Sequence, residues 1–203
     1  MAPAPRRSAD RAALRDRPEV KRTVKRAAVL SADQIAALLE AAEPRDAALV
    51  AVMTAGAMRI GEATLLTWDD IDDCVVTIRG GTTKTGVGRT FTLPPAACRY
   101  LKTWRDQCPT TNRGWIFPGI AGQCLSVRGA QTAISKLAAK VGIKGVSSHS
   151  FRRSAATAAH QAGYSLREVA AITGHSSLAS LERYLDQDAA MEKAEAARGL
   201  LLP

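Results

Sequence analysis

The chain has 203 residues, of which 46% are hydrophobic, enough for one well-packed domain plus a tail. It carries no apolar run approaching the ~20 residues of a membrane span and no N-terminal signal-type stretch, so no membrane partner and a cytoplasmic location are expected. Four cysteines lack any Cys-x-x-Cys pair and only three histidines are present, which excludes the usual zinc and disulfide frameworks and predicts reduced thiols; the net charge of +9 points toward nucleic acid.

Much of that charge lies at the start. Arg6, Arg7, Arg11, Arg15, Arg17, Lys21, Arg22, Lys25 and Arg26 face only Asp10, Asp16 and Glu19, so residues 1–28 read as a basic flexible arm or linker remnant ahead of a domain over 29–203. Such arms bind phosphate backbones by counterion release, or remain solvated. Ser31-Ala-Asp-Gln34 is a capping-box pattern that opens a helix with Ile35, Leu38 and Leu39 on one stripe. A second helix follows Pro44; its run Ala47 to Met53 is apolar on nearly every side and predicts a central position. A turn and a third helix carry Arg59 and, three residues on, Glu62, either a simple ion pair or a carboxylate-braced arginine aimed at a phosphate.

Leu66 to Trp68 reads as a short strand before an aspartate-rich turn. Val75–Arg79 and Arg89–Leu93 alternate as two further strands, joined by a Gly/Thr-rich hairpin holding Lys84. The expected class is α+β, mainly α, with a small three-stranded antiparallel sheet. Helices are predicted after Pro94-Pro95, over Val127–Val141, from His149 to Gln161, from Ser165 to Gly174 behind a second capping box, from Ser177 through Tyr184, and from Met191 to Leu202. His149 and Arg152, three apart, would offer an imidazole and a guanidinium to one phosphate. Leu166 to Leu185 alone fits a helix-turn-helix equally well. His160 reads as structural or solvent-facing.

Taken together, Gly-Ala-Met-Arg59-Ile-Gly-Glu62, Leu-Thr-Trp-Asp-Asp-Ile-Asp72, Thr-Lys84-Thr-Gly, Phe-Pro-Gly119, His149-Ser-Phe-Arg152-Arg153-Ser and Gly174-His175-Ser-Ser, with Tyr184 nine residues after His175, resemble the tyrosine recombinases of the phage integrase type over about residues 30–190. Each motif is weak alone, and their order is specific. The resemblance implies the DNA breaking-rejoining catalytic fold and a site-specific recombinase. Arg59 and Arg152 would clamp the scissile phosphate, with Glu62 supporting. His149 and His175 would donate hydrogen bonds and manage protons. Lys84 would be the general acid and Tyr184 the nucleophile that forms a 3′-phosphotyrosine, with no metal or nucleotide cofactor required. Arg153, Arg183, Arg22, Lys25 and Arg26 are candidate DNA contacts. The implied partners are double-stranded DNA with a specific site, a homotetramer holding two duplexes, and accessory DNA-bending proteins.

Ala57 stands where a glycine is common, Phe151 where leucine is common, and Arg153 where many members have histidine. No core-binding domain precedes the catalytic motifs, which fits either a minimal invertase-like recombinase or the catalytic portion of a longer protein. The apolar end Leu200 to Leu202 is a candidate for docking onto a neighbouring protomer. Three other readings stand beside the recombinase: a type IB topoisomerase, a non-enzymatic helix-turn-helix regulator, and an inactive paralogue.

Overall fold

The computed structural model of the chain describes residues 27–83, 86–109, 114–182 and 185. The fold is organised around α2 (Pro44–Ala55), which buries every residue from Ala47 to Met53. Pro44 sits in its first turn, where a missing N–H costs nothing. Five helices pack on α2: α1 (Ala32–Ala41), α3 (Ile60–Thr64), α4 (Pro95–Gln107), α5 (Val127–Val141) and α6 (Ser148–Gln161). Its continuous apolar surface therefore meets protein on all sides, and each fully buried Leu, Val or Met contributes roughly 1.5–3 kcal/mol.

The capping boxes form as the sequence predicts. Gln34 N donates to Ser31 Oγ at 3.2 Å and Ser31 N to Gln34 Oε1 at 3.1 Å, which fixes the start of α1. Ser165 and Glu168 do the same for α7 (Leu166–Thr173). α7 and the short α8 (Leu178–Glu182) close on α6 through a small cluster of Ala156, Val169, Leu181 and Leu185, apart from the main core. The chain enters through Ala27 to Leu30, held against α6 by Leu30 N donating to Ser154 Oγ (2.7 Å) and Arg153 Nη1 donating to the Ala27 carbonyl (2.6 Å).

The sheet is antiparallel in the order β1 (Ile71–Asp72), β2 (Val75–Ile78), β3 (Arg89–Thr92). Its first strand differs from the expectation at Leu66–Trp68. There Thr67 N and Oγ1 both donate to Asp70 Oδ2 at 2.8 Å, so the segment Trp68–Asp70 winds into a 3₁₀ turn and the strand begins only afterwards. Val76 and Ile78 of β2 are buried and pair with Phe91 and Arg89 of β3. Directly paired residues share a face, so the register carries Arg89 and Phe91 to the inner side.

The expectation of reduced thiols fails at one pair. Cys74, in the turn between β1 and β2, is disulfide-bonded to Cys98 of α4, with Cα atoms 5.6 Å apart. The 24-residue separation gives no motif; only the docking of α4 beside the sheet brings the two together. No described helix is long and apolar enough to cross a membrane.

Candidate active site

The site grows from the turn that ends α2. Gly56 caps the helix, and Ala57 adopts a left-handed φ of 44°, which reverses the chain sharply and buries Met58. This conformation explains why a glycine suits position 57, since a Cβ is strained there. Arg59 emerges as the N-cap of α3 and folds back on it: Nη1 meets Glu62 Oε1 at 2.8 Å, and the Arg59 backbone N–H donates to Glu62 Oε2 at 3.1 Å. The Arg59–Glu62 ion pair common to both sequence readings is thus formed. The Glu62 side chain is 2% exposed and that of Arg59 26%, so the carboxylate is internal while the guanidinium keeps an open side.

A second arginine arrives from β3. Arg89 Nη2 donates to the other Glu62 oxygen, Oε2, at 3.0 Å and to the Gly56 carbonyl at 3.2 Å. A third comes from α6, where the buried Arg152 donates from Nη1 to the Ala57 carbonyl at 2.7 Å. Burial alone would raise the Glu62 pKa; hydrogen bonds from Arg59 and Arg89 outweigh it and hold the carboxylate below its ordinary 4.5. Two guanidinium groups therefore share the Glu62 carboxylate, while a third, that of Arg152, is held at the neighbouring Ala57 carbonyl.

α7 ends at Gly174 in the left-handed conformation (φ 68°) and delivers His175 to the same place. Arg59 Nη2 approaches the Gly174 carbonyl at 3.4 Å. The His175 pKa is pushed down to about 4, first by burial and then by the positive charges of Arg152, Arg59 and Arg89, so the ring is neutral at pH 7. Its tautomer follows from its neighbour. The Thr173 hydroxyl donates its one proton to the Val169 carbonyl (2.6 Å) and so accepts from His175 Nδ1 at 2.6 Å. Nδ1 then carries the hydrogen and Nε2 the lone pair.

The structure brings together Arg59, Glu62, Arg152 and His175 of the expected set. His149 lies one turn before Arg152 on α6, but it is exposed whereas Arg152 is buried. Arg153 holds the entering segment at Ala27. Lys84, Arg183, Tyr184, Arg22, Lys25, Arg26 and the terminal segment Leu200–Leu202 lie outside the described residues; the flanking Leu181 and Leu185 are both buried. Two contributors were missed from the sequence. Arg89 was read only as part of a strand, although its alternation with Phe91 places it on the inner face. Thr173 had no signal beyond its place two residues before His175. A cleft of about 390 Å³ opens beside Arg89, Gly174 and His175, rimmed by Arg167 of α7.

The domain is mainly helical and gathers three arginines and a neutral histidine at one turn, side chains of the chemistry that suits an oxyanion. Residues 28–191 match the model of the phage integrase family, and the chain belongs to that family. It is 32% identical over 168 residues to tyrosine recombinase XerC of Xanthomonas campestris pv. campestris (strain B100), covering 79% of this chain and 51% of that protein. It is 33% identical over 185 residues to XerC of Mycobacterium bovis (strain BCG / Pasteur 1173P2), covering 82% and 60%. Among solved structures, XerA recombinase superposes with a TM-score of 0.74 at 26% identity, over 84% of this chain and 65% of that one. A lambda integrase dimer bound to a COC′ core site shares the fold, with a TM-score of 0.63 at 17% identity over 78% and 48%. The expected tyrosine-recombinase catalytic fold is borne out. The chain spans about half the length of the first of these curated relatives.

Proposed function

We propose that the protein is a site-specific DNA recombinase that cleaves and rejoins DNA through a 3′-phosphotyrosine at Tyr184. The observation that carries this reading is the convergence of the Arg59, Arg89 and Arg152 guanidinium groups, from α3, β3 and α6, beside His175. A phosphodiester carries one negative charge, and in-line attack by a phenolate-like oxygen raises it to about two in the pentavalent transition state. Such a site holds the transition state more strongly than the ground state, which is the requirement for acceleration.

In the proposed reaction Tyr184 Oη attacks phosphorus and the P–O5′ bond breaks. His175 Nε2 takes the phenolic proton, since the neutral Nδ1–H tautomer leaves that nitrogen as an acceptor. Lys84 delivers a proton to the leaving 5′ oxygen. Arg59 and Arg152 bind the non-bridging oxygens, and His149 adds a hydrogen bond from the exposed start of α6. Rejoining is the reverse step with a 5′-hydroxyl from the partner strand. Arg153, Arg183, Arg22, Lys25 and Arg26 serve as backbone contacts that strengthen binding without reading sequence. By likeness to the recombinases, four copies hold two duplexes on the DNA, assisted by DNA-bending proteins. The protein acts on DNA in the cytoplasm.

The test is a library of nicked duplexes with a randomised core, incubated with the full chain and resolved under denaturing conditions. A covalent protein–DNA adduct is expected with the wild type and none with Tyr184→Phe. Adduct formation by Tyr184→Phe, or none by the wild type, rejects the reading. Relaxation of supercoils on plasmids lacking any selected sequence would instead support the topoisomerase alternative.

A further inference from the structure

We propose that Arg89 is a positioning residue of the active site, a two-pronged brace from β3 that holds the Glu62 carboxylate, the Gly56–Arg59 turn and the Gly174–His175 corner in one arrangement. The inference rests on the cleavage chemistry proposed for Arg59, Arg152 and Tyr184, to which it adds a member.

The register of the sheet sends Arg89 inward, opposite the buried Ile78. Its side chain is 15% exposed, and a buried guanidinium of this kind is held only where it is paired and hydrogen-bonded. The fork spends Nη2 on two acceptors from different segments, Glu62 Oε2 of α3 and the Gly56 carbonyl at the end of α2. Glu62 is thereby gripped on both oxygens, Oε1 by Arg59 and Oε2 by Arg89, so the carboxylate cannot rotate and Arg59 inherits a fixed anchor. Phe91, two residues on and on the same face, packs its ring over Gly56; a Cβ there would stand 2.2 Å from its Cζ. Strand β3 is thus locked to the arginine turn by an apolar and a polar contact side by side.

The other edge of the guanidinium lies against Gly174. A Cβ built on Gly174 would come 2.9 Å from Arg89 Nη1, so it would make the guanidinium shift, and the φ of 68° itself favours glycine. Gly174 also offers its carbonyl to Arg59 and leads directly into His175. Arg89 therefore abuts the backbone that aims His175, while setting the carboxylate that aims Arg59. Arg89 also stands five residues after Lys84, the proposed general acid, in sequence. Among the described residues, the charged groups acting on His175 include Arg152 of α6, Arg59 and Glu62 at α3, and Arg89 of β3, so the loss of Arg89 is readable at His175.

The experiment compares Arg89→Met, Arg89→Lys and Gly174→Ala in the full chain. The first measurement is single-turnover adduct formation at saturating concentration of a nicked duplex selected from the random library. Arg89→Met is expected to slow the step roughly tenfold to a hundredfold, the range that small misplacement of reacting groups produces. The acid limb of the rate profile is expected to move to higher pH as His175 loses a positive neighbour. Arg89→Lys restores the limb, because the charge returns, but not the rate, because one ammonium cannot both hold Glu62 and Gly56 and fill the place of Nη1 against Gly174. Gly174→Ala slows the wild type more than it slows the Arg89→Met background, since the backbone strain is common to both and only the clash depends on the guanidinium.

Adduct formation by Arg89→Met at the wild-type rate, full recovery by lysine, or equal penalties of Gly174→Ala in both backgrounds overturns the proposal. Unfolding of both Arg89 variants overturns it too, by making the role structural. If the wild type forms no adduct, the recombinase reading fails, and the His175 titration in the DNA-free chain decides for Arg89: an upward shift in the Met variant alone supports the contact, and no shift rejects it.

Discussion

Replacing Glu62 with Gln removes one charge without changing the shape of the side chain, and its cost can be worked out from the contacts. The carboxylate accepts from Arg59 Nη1, the Arg59 backbone N–H and Arg89 Nη2. A glutamine retains one oxygen acceptor and turns an NH₂ donor toward a guanidinium, so one of the two arginines faces another donor. Breaking a buried pair in this way costs roughly 3–5 kcal/mol. Because the Arg59 side chain is 26% exposed and partly rehydrates, the lower end, about 3 kcal/mol, is expected. For a chain of this size that lowers Tm by roughly 6–12 °C. Urea denaturation followed by tryptophan fluorescence measures it. The sign with pH is fixed: the folded pKa of Glu62 is depressed below 4.5, so its contribution is fully present above that value and is lost as the pH falls through the folded pKa. The gap between wild type and Glu62→Gln should be full at pH 7 and narrow on acidification below 4.5. A gap below about 1 kcal/mol at pH 7, or one that widens toward acid, refutes the reasoning.

Ala57→Gly should stabilise the protein by about 1 kcal/mol, because the left-handed φ of 44° penalises a Cβ; an unchanged or lower urea midpoint contradicts the strain. Thr173→Val should leave cooperative unfolding intact and lower single-turnover adduct formation by roughly a hundredfold, the low end of what acid–base catalysis contributes, by releasing the His175 tautomer. An unaltered rate removes His175 from the proton path. His175 itself has a folded pKa of about 4 against an ordinary 6.5. Its neutral form therefore supports the fold above 6.5, and that support is lost as the pH falls toward 4. Histidine NMR titration checks the value; a midpoint near 6.5 would place the ring in water.

The architecture was legible because local signals agreed with packing. The capping serines Ser31 and Ser165, the all-apolar face of α2 and the alternation in β2 each predict what forms. The pairing of Arg59 with Glu62 was legible too, since three residues on a helix are neighbours. What escaped depends on distant segments. Arg152 and Ala57 meet across 95 positions, and Arg89 and Glu62 across 27, distances over which sequence spacing carries no information. The first strand was misplaced because Thr67 and Asp70 satisfy each other locally before the chain can extend. The disulfide between Cys74 and Cys98 escaped for the same reason as Arg89: only tertiary docking creates it.

In the proposed reaction the arginines gathered near Glu62 serve a tyrosine that becomes covalently joined to DNA. The most direct measurement is peptide mass spectrometry of the adduct formed by the full chain on a nicked duplex, after nuclease trimming. A nucleotide attached through its 3′ phosphate to the peptide containing Tyr184, absent when Arg59 is replaced by alanine, is the predicted result. Attachment at any other residue, or an undiminished adduct in Arg59→Ala, would contradict it.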